Sequence, residues 1–168
     1  MKYLFTLFLI IAVSQSAPLG AANDEIPIGG TLHNLPMQGL TGAPTFISEY
    51  RGKPLIINVW ASYCGPCLAE MGSLERLWQR YGDQFNIIGI SIDDYRDRAN
   101  AFLTKAGTTF PHYIDRRLIL ENMLGARTIP VTILIDPDSR VLHKVHGAQE
   151  WDSPESVALI SQVLQLNL

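Results

Sequence analysis

Cysteine is scarce in this chain, with two among 168 residues, at positions 64 and 67. Without a second pair, a structural zinc site lacks the four ligands it needs. A disulfide across so short a loop adds little stability, so a purely structural bridge is a poor reading. Haem attachment is excluded because Leu68, not histidine, follows the second cysteine. Basic clusters are missing too. Lys and Arg number 13 against 16 Asp and Glu, the net charge is −3, and no Lys/Arg run exists. That balance gives no ground for nucleic acid binding. The four histidines form no convergent metal set, and His143 and His146, three apart on a predicted strand, point to opposite faces. All four read as surface or packing residues. Internal repeats and linkers are absent. The apolar run from Tyr3 to Val13 is too short to span a bilayer comfortably.

The two cysteines sit at the one place where local patterns converge. Leu55-Ile56-Ile57-Asn58-Val59-Trp60 is a short apolar run rich in β-branched residues, which predicts a buried strand. Beyond the pair, Leu68, Met71, Leu74, Leu77/Trp78 and Tyr81 recur at helical spacing, predicting a helix from about 65 to 81. Pro66 suits its first turn, where a missing N–H costs nothing. Cys64 therefore stands at a strand-to-helix junction, beside the positive end of the helix dipole. Such a position favours the thiolate, the nucleophile of disulfide exchange. Gly65 and Pro66 allow the tight turn that lets Cys67 resolve a mixed disulfide formed on Cys64.

Ala61-Ser62-Tyr63-Cys64-Gly65-Pro66-Cys67 resembles a thioredoxin active site, and Tyr50 through Met71 resembles the exported TlpA/ResA/DsbE-like thiol:disulfide oxidoreductases. The resemblance covers roughly residues 26–166. It implies an α/β thioredoxin fold with an N-terminal β-hairpin extension and a central insertion. Ile129-Pro130 then matches the cis-proline facing the dithiol, where the backbone of Ile129 pairs with an extended substrate. Glu70 matches the buried acid of the Cys-x-x-Cys-x-x-Glu pattern, while Asn58 stands where cytoplasmic thioredoxins carry a proton-handling aspartate. The resemblance thus makes Cys64, Cys67 and Glu70 catalytic. It assigns substrate binding to Trp60, Tyr63, Gly65, Pro66, Ile129 and Pro130, with Trp60 also packing beneath the dithiol. Gly72 replaces the proline that usually follows the acid, and Val131 replaces a frequent threonine. Arg127 to Val131 lacks the Gly/Pro-Glu pattern of the cytochrome-maturation subgroup, which counts against apocytochrome c as substrate.

Along the chain, Met1-Lys2, the apolar run and Gly20-Ala21-Ala22 are read as a secretory signal peptide over 1–22, leaving one domain over 23–168. An uncleaved anchor is the alternative; a lipoprotein anchor has no cysteine to use. Loss of Lys2 takes the net charge to about −4. Residues 26–47 read as turns and an edge hairpin. Further expected elements are strands at 85–92, 110–115, 131–135 and 140–146, and helices at 96–106, 117–124 and from Ser153-Pro154 onward, with Gly82 ending the first helix.

These readings together predict a periplasmic or otherwise extracytoplasmic, monomeric oxidoreductase. Its redox-active disulfide is the only cofactor expected, and no metal is. Gly-Pro between the cysteines resembles the reducing thioredoxins, with a potential of roughly −200 to −270 mV. In an oxidising compartment such a pair needs a membrane electron donor of the DsbD/CcdA type. Two rival readings stand beside it. A thioredoxin-like copper-binding module wants a wider cysteine spacing and a remote histidine ligand. A thiol peroxidase wants threonine two or three residues before its cysteine, where this chain has Ser62 and Ala61.

Overall fold

The computed structural model describes residues 25–168, so the proposed signal peptide lies outside the described residues. Those residues build one seven-stranded sheet in the order β2-β1-β5-β4-β3-β6-β7. Its strands are β1 (Pro36–Gly39), β2 (Thr45–Phe46), β3 (Leu55–Trp60), β4 (Asn86–Ser91), β5 (His112–Ile114), β6 (Val131–Ile135) and β7 (Val141–His146). Four helices accompany them: α1 (Gly65–Tyr81), α2 (Arg96–Ala106), α3 (Ile119–Leu124) and α4 (Pro154–Leu164). β3 runs parallel to β4 and antiparallel to β6, with Val59 opposite Val131. β1 and β2 form the expected antiparallel hairpin and join the sheet through β5.

All six residues of β3 are buried, as a strand covered on both faces requires. Alternation then divides them. Leu55, Ile57 and Val59 pack with Ile88, Ile90 and Ile133 under α3 and the N-terminal segment. Ile56 and Trp60 pack with Ile87 and Leu134 beneath Met71, Leu74 and Leu77 of α1, Phe102 of α2 and Ile160 of α4. Asn58 falls between Ile56 and Trp60 and so faces α1. The dithiol begins α1 at the C-terminal end of the central strand, where ligands collect in open α/β sheets.

Some boundaries differ from the expectation for identifiable reasons. Gly82 does end α1, but with φ −64° rather than a left-handed cap. Glycine is needed there because a Cβ would meet the Trp78 carbonyl oxygen at 2.7 Å. α3 starts at Ile119 instead of Arg117, because Asp115 caps it from upstream. Asp115 Oδ1 accepts from the Ile119 N–H at 3.0 Å, and Oδ2 accepts from the Glu121 N–H at 2.8 Å. The strand expected over 110–115 shrinks to three residues. α4 begins as read: Ser153 Oγ accepts the Ser156 N–H, and Ile160 and Leu164 are buried.

Candidate active site

Cys64 is the N-cap of α1, and Pro66 occupies the first turn. The protein is in its oxidised form, with Cys64 and Cys67 joined and their Cα atoms 5.3 Å apart. The two sulfurs are inequivalent. Cys64 Sγ accepts the Cys67 backbone N–H at 3.2 Å, one of the free donors at the helix start. Cys64 retains 8% exposure, whereas Cys67 has none. A thiolate on Cys64 would thus gain both the helix dipole and a hydrogen bond, and it is the sulfur a partner can reach.

The loop before Cys64 is held by an acid that the sequence reading passed over. Asp93, just beyond β4 and 3% exposed, accepts from the Ser62 N–H at 2.9 Å and the Ser62 hydroxyl at 2.6 Å. Ser91 Oγ donates to it as well, at 2.7 Å. Its position at the C-terminal end of a central parallel strand was the available signal.

Glu70 is 1% exposed. Its Oε1 accepts from Asn58 Nδ2 at 2.7 Å, and its Oε2 from the Gln149 N–H at 3.1 Å and the Trp151 indole N–H at 2.9 Å. Burial pushes its carboxyl above the ordinary range, and the hydrogen bonds from Trp151, Asn58 and Gln149 pull it back in part. Asn58 Nδ2 also donates to Thr132 Oγ1 at 2.9 Å, which links β3, β6 and the acid. Trp151 and Gln149 were missed because they lie about eighty residues downstream; a lone tryptophan within Gln149-Glu150-Trp151-Asp152 was the only hint.

The Ile129–Pro130 bond is cis. It sits at the same end of the sheet as the dithiol, since Val131 pairs with Val59, next to Trp60. Ile129 is half-buried and Pro130 buried, while Gly65, Pro66 and Tyr63 are exposed. Of the two roles read for Trp60, packing beneath the dithiol agrees with its position, and substrate contact requires a correction. Trp60 is fully buried, stacked on Phe102 at 4.4 Å, and its indole donates to His112 Nδ1 at 3.2 Å. It supports the dithiol loop from below and cannot touch a substrate. Gly89 makes this arrangement fit, because a Cβ there would meet His112 Nδ1 at 2.1 Å. α1 stays helical through Gly72.

Six large apolar side chains are exposed among the described residues: Ile28, Phe46, Tyr63, Tyr95, Leu118 and Ile119. Tyr63, the residue before Cys64, lines a hollow with Tyr95 and Leu118, and Phe46 and Ile119 line a larger one of about 760 Å³, with Asp94 common to both. Among the described residues, no group of three or more His, Cys, Asp or Glu is placed to hold a metal ion, and no helix is long and apolar enough to cross a membrane.

The redoxin family profile matches residues 15–160. A thiol-disulfide oxidoreductase ResA from Halalkalibacterium halodurans is 32% identical over 130 residues, covering 76% of this chain and 73% of that one. ResA from Geobacillus thermodenitrificans is 27% identical over 150 residues, covering 88% and 86%. The crystal structure of a putative thiol:disulfide interchange protein DsbE from Chlorobium tepidum shares the fold with a TM-score of 0.72 at 22% identity, over 82% of this chain and 98% of that one. With its Cys64–Cys67 pair at the start of α1, the chain belongs to the redoxin family and is a thioredoxin-like thiol-disulfide oxidoreductase.

Proposed function

We propose that the protein is an exported reductase of protein disulfides, with Cys64 as nucleophile, Cys67 as resolving thiol and Glu70 as proton acceptor. The observation that carries this reading is the inequivalence of the sulfurs. Cys64 is reachable and takes a helix-start N–H, and Cys67 is sealed beneath it. The Cys64 thiolate attacks one sulfur of a substrate disulfide, and the other sulfur leaves as a thiolate. Glu70 then takes the Cys67 proton, and the Cys67 thiolate attacks Cys64. The second substrate thiolate departs, two electrons have passed to the substrate, and the Cys64–Cys67 disulfide remains. Protons return to the released thiolates from Glu70 and from solvent.

Ile129 and Pro130 face the approaching chain on this reading, and Tyr63 with Gly65 and Pro66 forms its near rim. The hollow around Tyr63, Tyr95 and Leu118, which Asp93, Asp94, Arg98 and Glu121 also line, supports a polypeptide substrate over a small thiol. Extracytoplasmic location, and re-reduction by a membrane donor of the DsbD/CcdA type, rest on the leader-like start and the Gly-Pro pair. Monomeric state is part of the same proposal.

Trapping tests the roles. Cys67→Ser accumulates mixed disulfides through Cys64 on non-reducing gels, and Cys64→Ser accumulates none. Equal trapping by both variants would overturn the assignment. Alkylation before lysis reads the direction, since a pair that stays oxidised while the donor is intact identifies an oxidase.

A further inference from the structure

The segment joining β7 to α4 makes more contact with the reaction centre than a connecting loop needs. The Gly147 N–H donates to the Pro130 carbonyl at 2.9 Å. The Gln149 N–H and the Trp151 indole N–H both reach Glu70 Oε2. The Trp151 backbone N–H donates to Ser73 Oγ at 3.0 Å, and that hydroxyl donates to the Glu70 carbonyl at 2.8 Å. On the outer side Arg76 pairs with both Glu150 and Asp152. Residues 147–150 are exposed, yet Trp151 is wholly buried in the cluster that contains both cysteines. A tryptophan that large, turned inward from a polar loop, places its single donor on a carboxylate oxygen.

We propose that Trp151 is a positioning residue for the proton acceptor Glu70: with the Gln149 N–H it holds Oε2 and directs the transferred proton to Oε1. The inference rests on the proton-accepting role given to Glu70 above. An indole N–H and a backbone N–H can only donate. Both aim at Oε2, so a proton there would face two donors and no acceptor. Oε1 receives a single N–H, from Asn58, and so keeps a lone pair for the proton. The two donors also oppose burial, which pushes the carboxyl above its ordinary range. The groups that contact Glu70 from other elements are neutral: Asn58 of β3, Gln149 and Trp151, with Thr132 of β6 beyond Asn58. Glu150 and Asp152 are engaged outward by Arg76, which leaves Cys64 and Cys67, with Asp93 bonded to Ser62 in the loop before them, as the titratable groups of the centre.

The test follows a single step. A mixed disulfide is preformed between Cys64 and a chromophoric thiol, and its release by Cys67 is timed by stopped flow across pH. The proteins are the wild type, Trp151→Phe, Glu70→Gln and the double variant. Losing a hydrogen bond to a charged group should move the midpoint of the wild-type profile upward by about one pH unit or more in Trp151→Phe, tenfold in proton affinity. The double variant should match Glu70→Gln. A rate lowered at every pH with an unmoved midpoint, or a double variant slower than Glu70→Gln, makes Trp151 merely structural and overturns the proposal. An unchanged profile in Glu70→Gln overturns the reading of Glu70 itself, a distinguishable failure. A second measurement needs no change at Trp151. In the reduced wild type, the Trp151 indole N–H resonance should titrate with the Glu70 carboxyl, and it should be flat in Glu70→Gln. A flat resonance in the wild type also refutes the proposal.

Discussion

Acid should unfold this protein partly through one buried histidine. His112 lies on β5 with no exposed surface. The Trp60 indole donates to its Nδ1, so Nδ1 carries no proton, and a neutral ring bears its hydrogen on Nε2, 2.9 Å from Thr108 Oγ1. Protonation would put the ring's second hydrogen on Nδ1, against the indole N–H, in a site also walled by Phe110 at 4.5 Å. Burial lowers the histidine from 6.5 to about 3. The sign follows directly. The unfolded chain takes up this proton near pH 6.5, while the folded one refuses it until about pH 3, so stability is whole above 6.5 and is lost as pH falls. At about 1.4 kcal/mol per unit, lowering the pH to 4.5 removes on the order of 2–3 kcal/mol, a large share of a typical 5–15 kcal/mol. Glu70 acts oppositely, because its raised carboxyl contributes stability that is lost as pH rises above about 4.5. A comparison with His112→Asn cancels that effect and leaves an oxygen to accept from Trp60. Urea unfolding of both oxidised proteins at pH 7.5 and 4.5 reads the gap between them. The variant should be weaker at pH 7.5 by about 1–2 kcal/mol from lost packing, and level with or above the wild type at pH 4.5. A gap that stays constant within about 0.5 kcal/mol would refute the argument.

Two further outcomes are expected besides the trapping and stopped-flow results above. Asp93→Ala strands the three donors now bonded to a buried carboxylate, so it should cost about 2–4 kcal/mol in urea unfolding and slow attack by Cys64 on a small disulfide, with Asp93→Asn recovering part of both. Replacing Tyr95 and Leu118 together by serine should slow reduction of an unfolded disulfide-bonded protein by about tenfold while leaving a small chromophoric disulfide unaffected; equal loss on both would show that the hollow does not bind the substrate chain.

What the sequence disclosed was whatever lies within one or two turns of a given residue. β3 and α1 show as periodicity, and Cys64, Pro66 and Cys67 need only each other to make a helix-start dithiol. α4 is legible for the same reason, since Ser153 and Pro154 carry its start locally. The start of α3 was misjudged although its cap is nearby, because Asp115 takes the Ile119 and Glu121 N–H groups from three residues before the usual cap position. Trp60 was read both as packing beneath the dithiol and as a substrate contact because it borders the motif; the packing of Phe102 and His112 around it agrees with the first and leaves no surface for the second. The partners of Glu70 were invisible for a plainer reason. Gln149 and Trp151 are 79 and 81 residues away, and no local pattern marks the inward turn of a tryptophan between two acids.

Asn58 shows why the acid can sit on the helix at all. Its amide gives one N–H to Glu70 Oε1 and another to Thr132 Oγ1, and its own Oδ1 is left buried without a partner among the described residues. A bare buried carbonyl oxygen costs about 1–3 kcal/mol, so the residue is held at a penalty. An ionised aspartate there could donate nothing to Glu70 and would set a second carboxylate against the first, forcing one of them to keep a proton. The neutral amide is thus a condition for the single proton acceptor proposed at this dithiol. Strand and helix carry complementary halves of one site: β3 supplies the donor and α1 the acid. The 147–151 segment closes it from outside, bonded both to Glu70 and to the carbonyl of Pro130. On the proposed reading, proton acceptor and substrate-facing proline share one support, and a change in that segment should register at both.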